Sequence, residues 1–370
     1  MSVVYVLEQG AQVQVSGGRL FVARGRDELR SVPIEEVEQL ALMGNVSLTA
    51  PATRALLRRG IDTVFLTRSG SFVGRLTTGF SKNILLRRAQ HQRFADPAFA
   101  LPIAKRIVAG KIANQRRVLA RAQRKRASDP LAKALVSLRL AEEKLREELR
   151  PRPGSELGAA NTEGELDRLR GVEGHASAIY FGVFGELVRA PGIEWSGRKR
   201  RPPPDPINVL LSFGYTMLGN LISGQSEQAG FDPYFGVMHT AEYGRPSLSL
   251  DLIEELRPLL VDSTAIMVLN RKEIGKVDFE ILPVDGESPV EDAWASEESD
   301  EAVAAARPLI FRREGVVKWV SALERRLSEV AYYEPRKERM SYRNIIKEQV
   351  YRLARAVEGQ DEYDAFVGSE

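Results

Sequence analysis

The chain of 370 residues contains no cysteine. That excludes disulfides, a thiolate nucleophile and any zinc site built on sulfur, and it fits a reducing compartment. With no cysteine and three histidines, any metal would have to be held by oxygen and imidazole. No run approaches the roughly 18 consecutive apolar residues of a membrane-spanning helix. The start, "MSVVYVLEQG", has neither a basic leader nor a small-residue cleavage site. A cytoplasmic protein is expected. Also missing are the G-x-x-x-x-G-K-[ST] phosphate loop, a G-x-G-x-x-G following a strand, and a G-x-S-x-G elbow. Nucleotide-triphosphate and dinucleotide chemistry are thereby disfavoured. Ser247 and Ser249, close in sequence to His239, leave a Ser/His hydrolase only as a minor alternative.

Excess charge is almost absent too: 53 Lys and Arg stand against 50 Asp and Glu, a net of +3. The balance conceals strong local asymmetry, which matters more for partners than the sum. "KRIVAGKIANQRRVLARAQRKR", residues 105–126, holds nine cations and no acid. "DGESPVEDAWASEESDE", residues 285–301, is rich in acids and small residues and reads as a solvated insertion.

What is present is organised in two parts. Segments of the first eighty residues, such as "VVYVLEQ", "AQVQVS", "RLFVARG", "VEQLALMG" and "IDTVFLTRSG", alternate with period two between glycine turns. One helix, "APATRALLRRG", interrupts them, entered through Thr49 and Pro51 and stopped at Gly60. Beyond Thr78 the period becomes about 3.6. The fold expected is α+β: an N-terminal β domain over 1–78, a linker at 79–83, and a large all-α catalytic domain over 84–370 carrying the acidic insertion.

Within "GVEGHASAIYFGVF", residues 171–184, Glu173 shares a helix face with Ala176, Tyr180, Phe184 and Leu187. Two readings are open: an acid in the first helical turn meeting the positive end of the dipole, or an inward-facing ligand. His175, about 200° round the same helix, is a poor co-ligand and reads as a packing or surface residue. "GVMHTAEYGRPSLSLDLIEELRP" places His239 before a turn, then a helix with Asp251 and Glu254. Here Leu248, Leu252, Leu256 and Leu259 form a stripe, with Asp251, Glu254 and Glu255 roughly opposite, so a solvated acidic face competes with a metal site. Mg²⁺ and Mn²⁺ prefer oxygen ligands, and Mn²⁺ also accepts imidazole. "SGRKRRPPPDP" adds Arg198, Lys199, Arg200 and Arg201 on a proline-stiffened loop. Candidate cation ligands beside candidate phosphate ligands are what metal-assisted phosphodiester chemistry requires.

Together these segments resemble the CRISPR-associated adaptation integrase and endonuclease family, Cas-one. "GVEGHASAIYF" is similar to its glutamate motif, "RPPPDPINVLLSFGYTMLGNLI" to its Pro-rich loop and Asn, Ser, Tyr helix, and the His239 segment to its histidine and acid motif. "IAKRIVAGKIANQRRVL", "SYRNIIKEQVYRLARAVEG" and "YDAF" match as well. The resemblance implies Glu173, His239 and Glu254 as metal ligands for Mg²⁺ or Mn²⁺, and Asp251 as a supporting or catalytic acid. It further implies DNA binding through Arg198, Lys199, Arg200, Arg201 and Arg245, and homodimerisation through the β domain. The expected partners are prespacer and repeat DNA, a small companion protein, Cas-two, and a further adaptation nuclease. The implied reaction is transesterification, inserting short DNA fragments into the repeat array, with cleavage of branched DNA by the same site. A non-catalytic DNA-binding scaffold and a branched-DNA repair nuclease remain as alternatives.

Overall fold

The computed structural model describes residues 2–68, 70–79, 81–149, 162–199, 203–240, 242–281 and 309–369. The acidic segment 285–301 lies outside these, as do Arg200 and Arg201.

The N-terminal part is two four-stranded sheets. One has the order β1 (Ser2–Val6), β5 (Val37–Met43), β7 (Asp62–Leu66), β8 (Phe72–Leu76); the other β4 (Asp27–Pro33), β3 (Arg19–Arg24), β2 (Gln12–Ser16), β6 (Ser47–Leu48). In the first sheet β1, β5 and β7 run parallel and β8 turns back antiparallel. Helix α1 (Ala50–Arg59) joins β6 to β7. Thr49 caps it by accepting from Ala52 N, and Gly60 closes it at φ 63°, the left-handed conformation that favours glycine.

Strand β5 shows why the sheet and the helices form one body. Leu40 and Leu42 enter a small core shared with Val13, Leu20 and Leu56, while Ala41 and Met43 enter the large helical core. Period two sends alternate side chains to opposite faces, so this central strand is buried on both. Polar clamps add to the join. Arg75 of β8 meets Asp62 at 2.7 Å and reaches the Asn220 carbonyl at 2.6 Å and Glu227 at 3.1 Å. Tyr5 donates to Glu324 at 2.8 Å.

The remainder is mostly helical: α2 (Ile84–Phe94), α3 (Pro97–Lys125), α4 (Asp129–Glu148), α5 (Thr162–Gly182), α6 (Pro206–Ala229), α7 (Ser247–Arg257), α8 (Ser263–Asn270), α9 (Arg313–Ser328) and α10 (Tyr342–Val357). Two short antiparallel ladders, β9 (Phe279–Ile281) with β10 (Leu309–Phe311) and β11 (Val330–Tyr333) with β12 (Glu338–Ser341), sit inside it. Strands of three or four residues carry too little alternation to stand out from helical periodicity.

Helix α7 is the centre of the body. Every residue from Ser247 to Arg257 is buried, with α3 and α6 against it and the C-terminal segment 363–368 closing the far side. A Cβ at Gly110 of α3 would overlap Ala365 of that segment. Pro258 has no N–H to return to the carbonyl one turn back. The chain widens there into a π turn, Pro258–Asp262, before α8.

A buried carboxylate and histidine centre

Two expectations about the acids change. Helix α5 starts at Thr162, so Glu173 lies in its middle, and the first-turn dipole reading of that residue does not hold. The face of α7 opposite the leucine stripe is not solvated: Asp251 is 0% exposed, Glu254 5% and Glu255 0%. Tyr180 and Phe184, assigned to the same helix face as Glu173, are fully buried. His175 is exposed.

Glu173 and Glu254 come from different helices and meet on one ammonium. Lys111 of α3 hydrogen-bonds Glu173 Oε1, and its Nζ lies 2.6 Å from Glu254 Oε2. Ser177, one turn on from Glu173, donates to the same Oε1 at 2.9 Å. Arg257 pairs with Glu254 Oε1 at 2.9 Å. Burial works against the charge on Glu173, but Lys111 and Arg257, with the hydrogen bonds from Lys111 and Ser177, hold its carboxyl down at about 2. For Glu254 too, the Arg257 and Lys111 cations outweigh burial and lower the pKa. Both acids are therefore carboxylates at neutral pH.

His239 is held by Asp251. One oxygen of Asp251 accepts from the His239 backbone N–H at 2.9 Å and lies 2.6 Å from its Nδ1; the other accepts from Val237 N and Met238 N at 2.6 and 3.1 Å. A carboxylate on Nδ1 leaves Nε2 as the lone-pair nitrogen, the arrangement typical of a metal-bound imidazole. The approach is close: a Cβ at Gly236 would overlap Asp251 Oδ2 and the Ser247 carbonyl. Ser247 donates to the Thr240 carbonyl at 2.8 Å, so it is not presented to His239 as a nucleophile.

Beneath the carboxylates, Tyr215 is stacked by two guanidinium groups, Arg257 at 5.1 Å and Arg198 at 5.4 Å from its ring centroid. Its hydroxyl donates to Asp262 at 2.6 Å, and Tyr180 donates to the other oxygen at 3.0 Å. Burial pushes the Asp262 carboxyl up to about 6, against the hydrogen bond from Tyr215, the Arg257 charge and the hydrogen bond from Tyr180. Asn208, Ser212 and Tyr215 of α6, spaced four and three apart, share the face that receives Arg198: Asn208 at 2.9 Å, Ser212 at 3.3 Å. Asn208 Nδ2 also donates to the Gly197 carbonyl and to Asp205, tying the basic loop to the helix.

The candidate phosphate ligands thus have different surroundings. Arg198 is engaged by α6. Lys199 is held through its backbone N–H to Asn208, leaving its ammonium without a partner among the described residues. Arg245 pairs with Glu242 at 2.7 Å, and its Nε is buried without a hydrogen-bond partner.

Among the described residues, no three His, Asp or Glu side chains stand ready-spaced for a metal; Lys111 sits between two of them. The donor set nevertheless suits a hard divalent cation, with two charged carboxylates and one imidazole nitrogen. Glu254 Oε2 is buried and, despite the nearby ammonium, has no aligned hydrogen-bond donor. Lys111 itself was hidden in the basic run of residues 105–126. Its signal was positional, for it shares a stripe with Ala104, Ile107, Gln115 and Val118, all nine-tenths or more buried.

Carboxylates, a carboxylate-held histidine and surrounding arginines, set in a helical body fused to a β part, are the residue types that metal-assisted phosphodiester chemistry uses. The profile of the family described as CRISPR associated protein Cas1 matches residues 4–286. The chain belongs to the Cas1 family. It is 37% identical to CRISPR-associated endonuclease Cas1 2 of Rhodospirillum rubrum, over 76% of this chain and 80% of that protein. It is 33% identical to CRISPR-associated endonuclease Cas1 3 of Thermus thermophilus, over 97% and 95%. The fold is shared with a CAS1 protein from Thermotoga maritima, TM-score 0.73 at 23% identity over the whole of both chains.

Proposed function

We propose that this protein is the integrase of CRISPR adaptation, with endonuclease activity on branched DNA, and that Glu173, His239 and Glu254 form its divalent-metal site. The observation carrying the proposal is the convergence of Glu173 and Glu254, from separate helices, beside a histidine whose Nδ1 is already committed to Asp251.

A Mg²⁺ or Mn²⁺ ion held by these three residues would supply Lewis-acid activation of the scissile phosphodiester and of the attacking 3′-hydroxyl. Asp251 fixes the tautomer and the ring plane of His239. Arg257 holds Glu254 ionised and in place from one side while Tyr215 holds Arg257 by its ring face. In this reading Lys199 and Arg245 bind the backbone of incoming DNA, and the basic run of the sequence adds Arg200 and Arg201 to that role. Arg198 acts by supporting Tyr215. In the overall reaction the 3′-oxygen bonds to a repeat phosphorus, the bond to the departing 3′-oxygen breaks, and the proton lost by one hydroxyl is gained by the other. Water in place of the 3′-hydroxyl gives cleavage. The working assembly in this reading is a homodimer with a small companion protein, Cas-two, acting with a further adaptation nuclease.

Strand joining tests the reading directly. A labelled prespacer and a repeat-bearing target are incubated with the wild type, Glu173→Ala and His239→Ala in Mn²⁺. Joining should be abolished in both variants while DNA binding persists. Joining at wild-type rates in both would refute the metal assignment, and cleavage without any joining would favour a repair nuclease.

A further inference from the structure

The buried residues of α2 are Leu86, Gln90 and Phe94, one stripe at four-residue spacing with a polar side chain in its middle. Packing alone would be served as well by leucine, and a buried amide is tolerated when its donors and its acceptor are used. Gln90, 0% exposed, uses them all on a single loop. Its Nε2 donates to the carbonyls of Asp232 and Phe235, both at 2.8 Å, and its Oε1 accepts from Asp232 N at 2.8 Å. Aromatic rings close the same contact: Phe94 lies 6.5 Å from Phe231 and 6.1 Å from Phe235, and His91 stacks on Phe235 at 4.9 Å.

This loop runs straight into the segment that carries His239. Gln90 holds the carbonyl of the Phe235–Gly236 peptide, and Gly236 has no room even for a Cβ against Asp251 and Ser247. Next, Asp251 takes the N–H groups of Val237, Met238 and His239. Arg170 of α5 donates twice to the Met238 carbonyl, at 2.8 and 3.1 Å. A peptide unit is planar, so Arg170 and Asp251 hold opposite edges of one rigid plate, the Met238–His239 peptide. The backbone from Phe235 to His239 has little slack, and a shift at its start is carried to the imidazole. Two of the three helices that grip it, α5 and α7, bear the carboxylates Glu173 and Glu254. Helix α2 bears neither; it follows directly on the β part, and Asn83 at its cap donates to the Ala229 carbonyl at 3.3 Å, fastening it beside the loop. We infer that Gln90 is a positioning residue for His239: its amide sets where the loop enters the centre, and with that the placement of the imidazole relative to the two carboxylates. The inference rests on the proposed role of His239 as a metal ligand.

The test uses the full-length protein with Gln90→Met, which keeps an unbranched side chain of similar bulk and removes all three hydrogen bonds. Gln90→Asn, which sets the amide back by one methylene, is run in parallel in case the first variant does not fold. Leu86→Ala is the control for general loosening, being buried in the same stripe with no bond to the loop. The chain has three histidines, so the ring signals of protein labelled with ¹³C and ¹⁵N at histidine can be followed by NMR without metal. The His239 signal should shift or broaden in both Gln90 variants and stay in place in Leu86→Ala, with His175 unchanged throughout. By titration calorimetry, Mn²⁺ affinity should fall about 10–100-fold in Gln90→Met and stay within about twofold in Leu86→Ala. In a His239→Ala background Gln90→Met should change Mn²⁺ affinity by less than about twofold, because the residue it acts through is gone.

An unmoved His239 signal in the Gln90 variants would overturn the inference, as would an equal shift in Leu86→Ala. So would a loss of Mn²⁺ affinity as large without His239 as with it. A wild type that binds no Mn²⁺ would overturn the metal reading and leave the ring signals alone to decide for or against Gln90.

Discussion

Replacing Lys111 by methionine tests the reading of the centre most severely, because it keeps an unbranched side chain of similar bulk and removes the ammonium between the two acids. In the wild type Lys111 is 0% exposed, and the side chains it joins are 22% exposed at Glu173 and 7% at Glu254. After substitution Glu254 keeps Arg257 at 2.9 Å, while Glu173 keeps the hydrogen bond from Ser177 at 2.9 Å and the more distant Arg257 charge. Removing one member of a buried ion pair costs about 3–5 kcal/mol, mostly the penalty of the charge left behind. The partial exposure of Glu173 puts the expected loss near the lower end. At about 2–4 °C per kcal/mol for a sizeable domain, the apparent melting temperature in EDTA at pH 7 should fall by about 5–10 °C.

Mn²⁺ should then do for the variant what the ammonium does for the wild type. Binding at a hundredfold excess over Kd stabilises by about 2.7 kcal/mol. In the wild type part of that is spent displacing Lys111. The assay is thermal melting of both proteins across a Mn²⁺ titration, and the upward shift should be larger in the variant, with half-saturation at lower metal. The pH dependence has a definite sign. Glu173, at about 2 when folded against 4.5 as its ordinary value, contributes stability above pH 4.5 that is lost as pH falls towards 2. Without Lys111 burial dominates, its pKa rises, and the variant's deficit should shrink as pH falls from 7 towards 5. If the variant melts like the wild type in EDTA, or if its Mn²⁺ shift is no larger, then Lys111 does not stand in a cation's place.

Two further outcomes are expected. Asp251→Asn should weaken Mn²⁺ binding by about 10–100-fold, measured by titration calorimetry, because the amide cannot hold both the His239 ring and three backbone N–H groups; unchanged affinity would remove Asp251 as the positioning group. Glu255, buried and pushed up to about 7 despite the hydrogen bonds it accepts from Gln349 and Tyr363, costs the fold stability as pH rises from about 4.5 to 7. Glu255→Gln should therefore flatten stability against pH across that window by up to about 3 kcal/mol, read by urea unfolding at pH 5 and pH 8; parallel profiles would place Glu255 as ionised throughout.

Local pattern alone marked out much of this protein. Period two up to Thr78 and period 3.6 beyond it separated sheet from helix, because alternation and helical spacing are properties of a single segment. The same holds for the ends of α1, set by Thr49, Pro51 and Gly60. Glu173 and His239 were visible as chemically odd residues in motif-rich segments, and Asp251 and Glu254 as acids of undecided environment.

Tertiary structure decided that environment. Whether the far face of α7 is wet depends on what covers it, and its covers, α3 and the segment around Ala365, arrive from more than a hundred residues away in either direction. Lys111 was one cation among nine in a run that reads as a basic face. Only the approach of α5 and α7 turned it inward, between two carboxylates that its charge helps keep ionised against burial. Further along the same helix and at its cap, Arg121, Lys125 and Arg126 meet no such partners among the described residues and stay exposed. Sequence periodicity assigns a residue to a face of its own helix, but the charge that face meets is set by the helices packed against it.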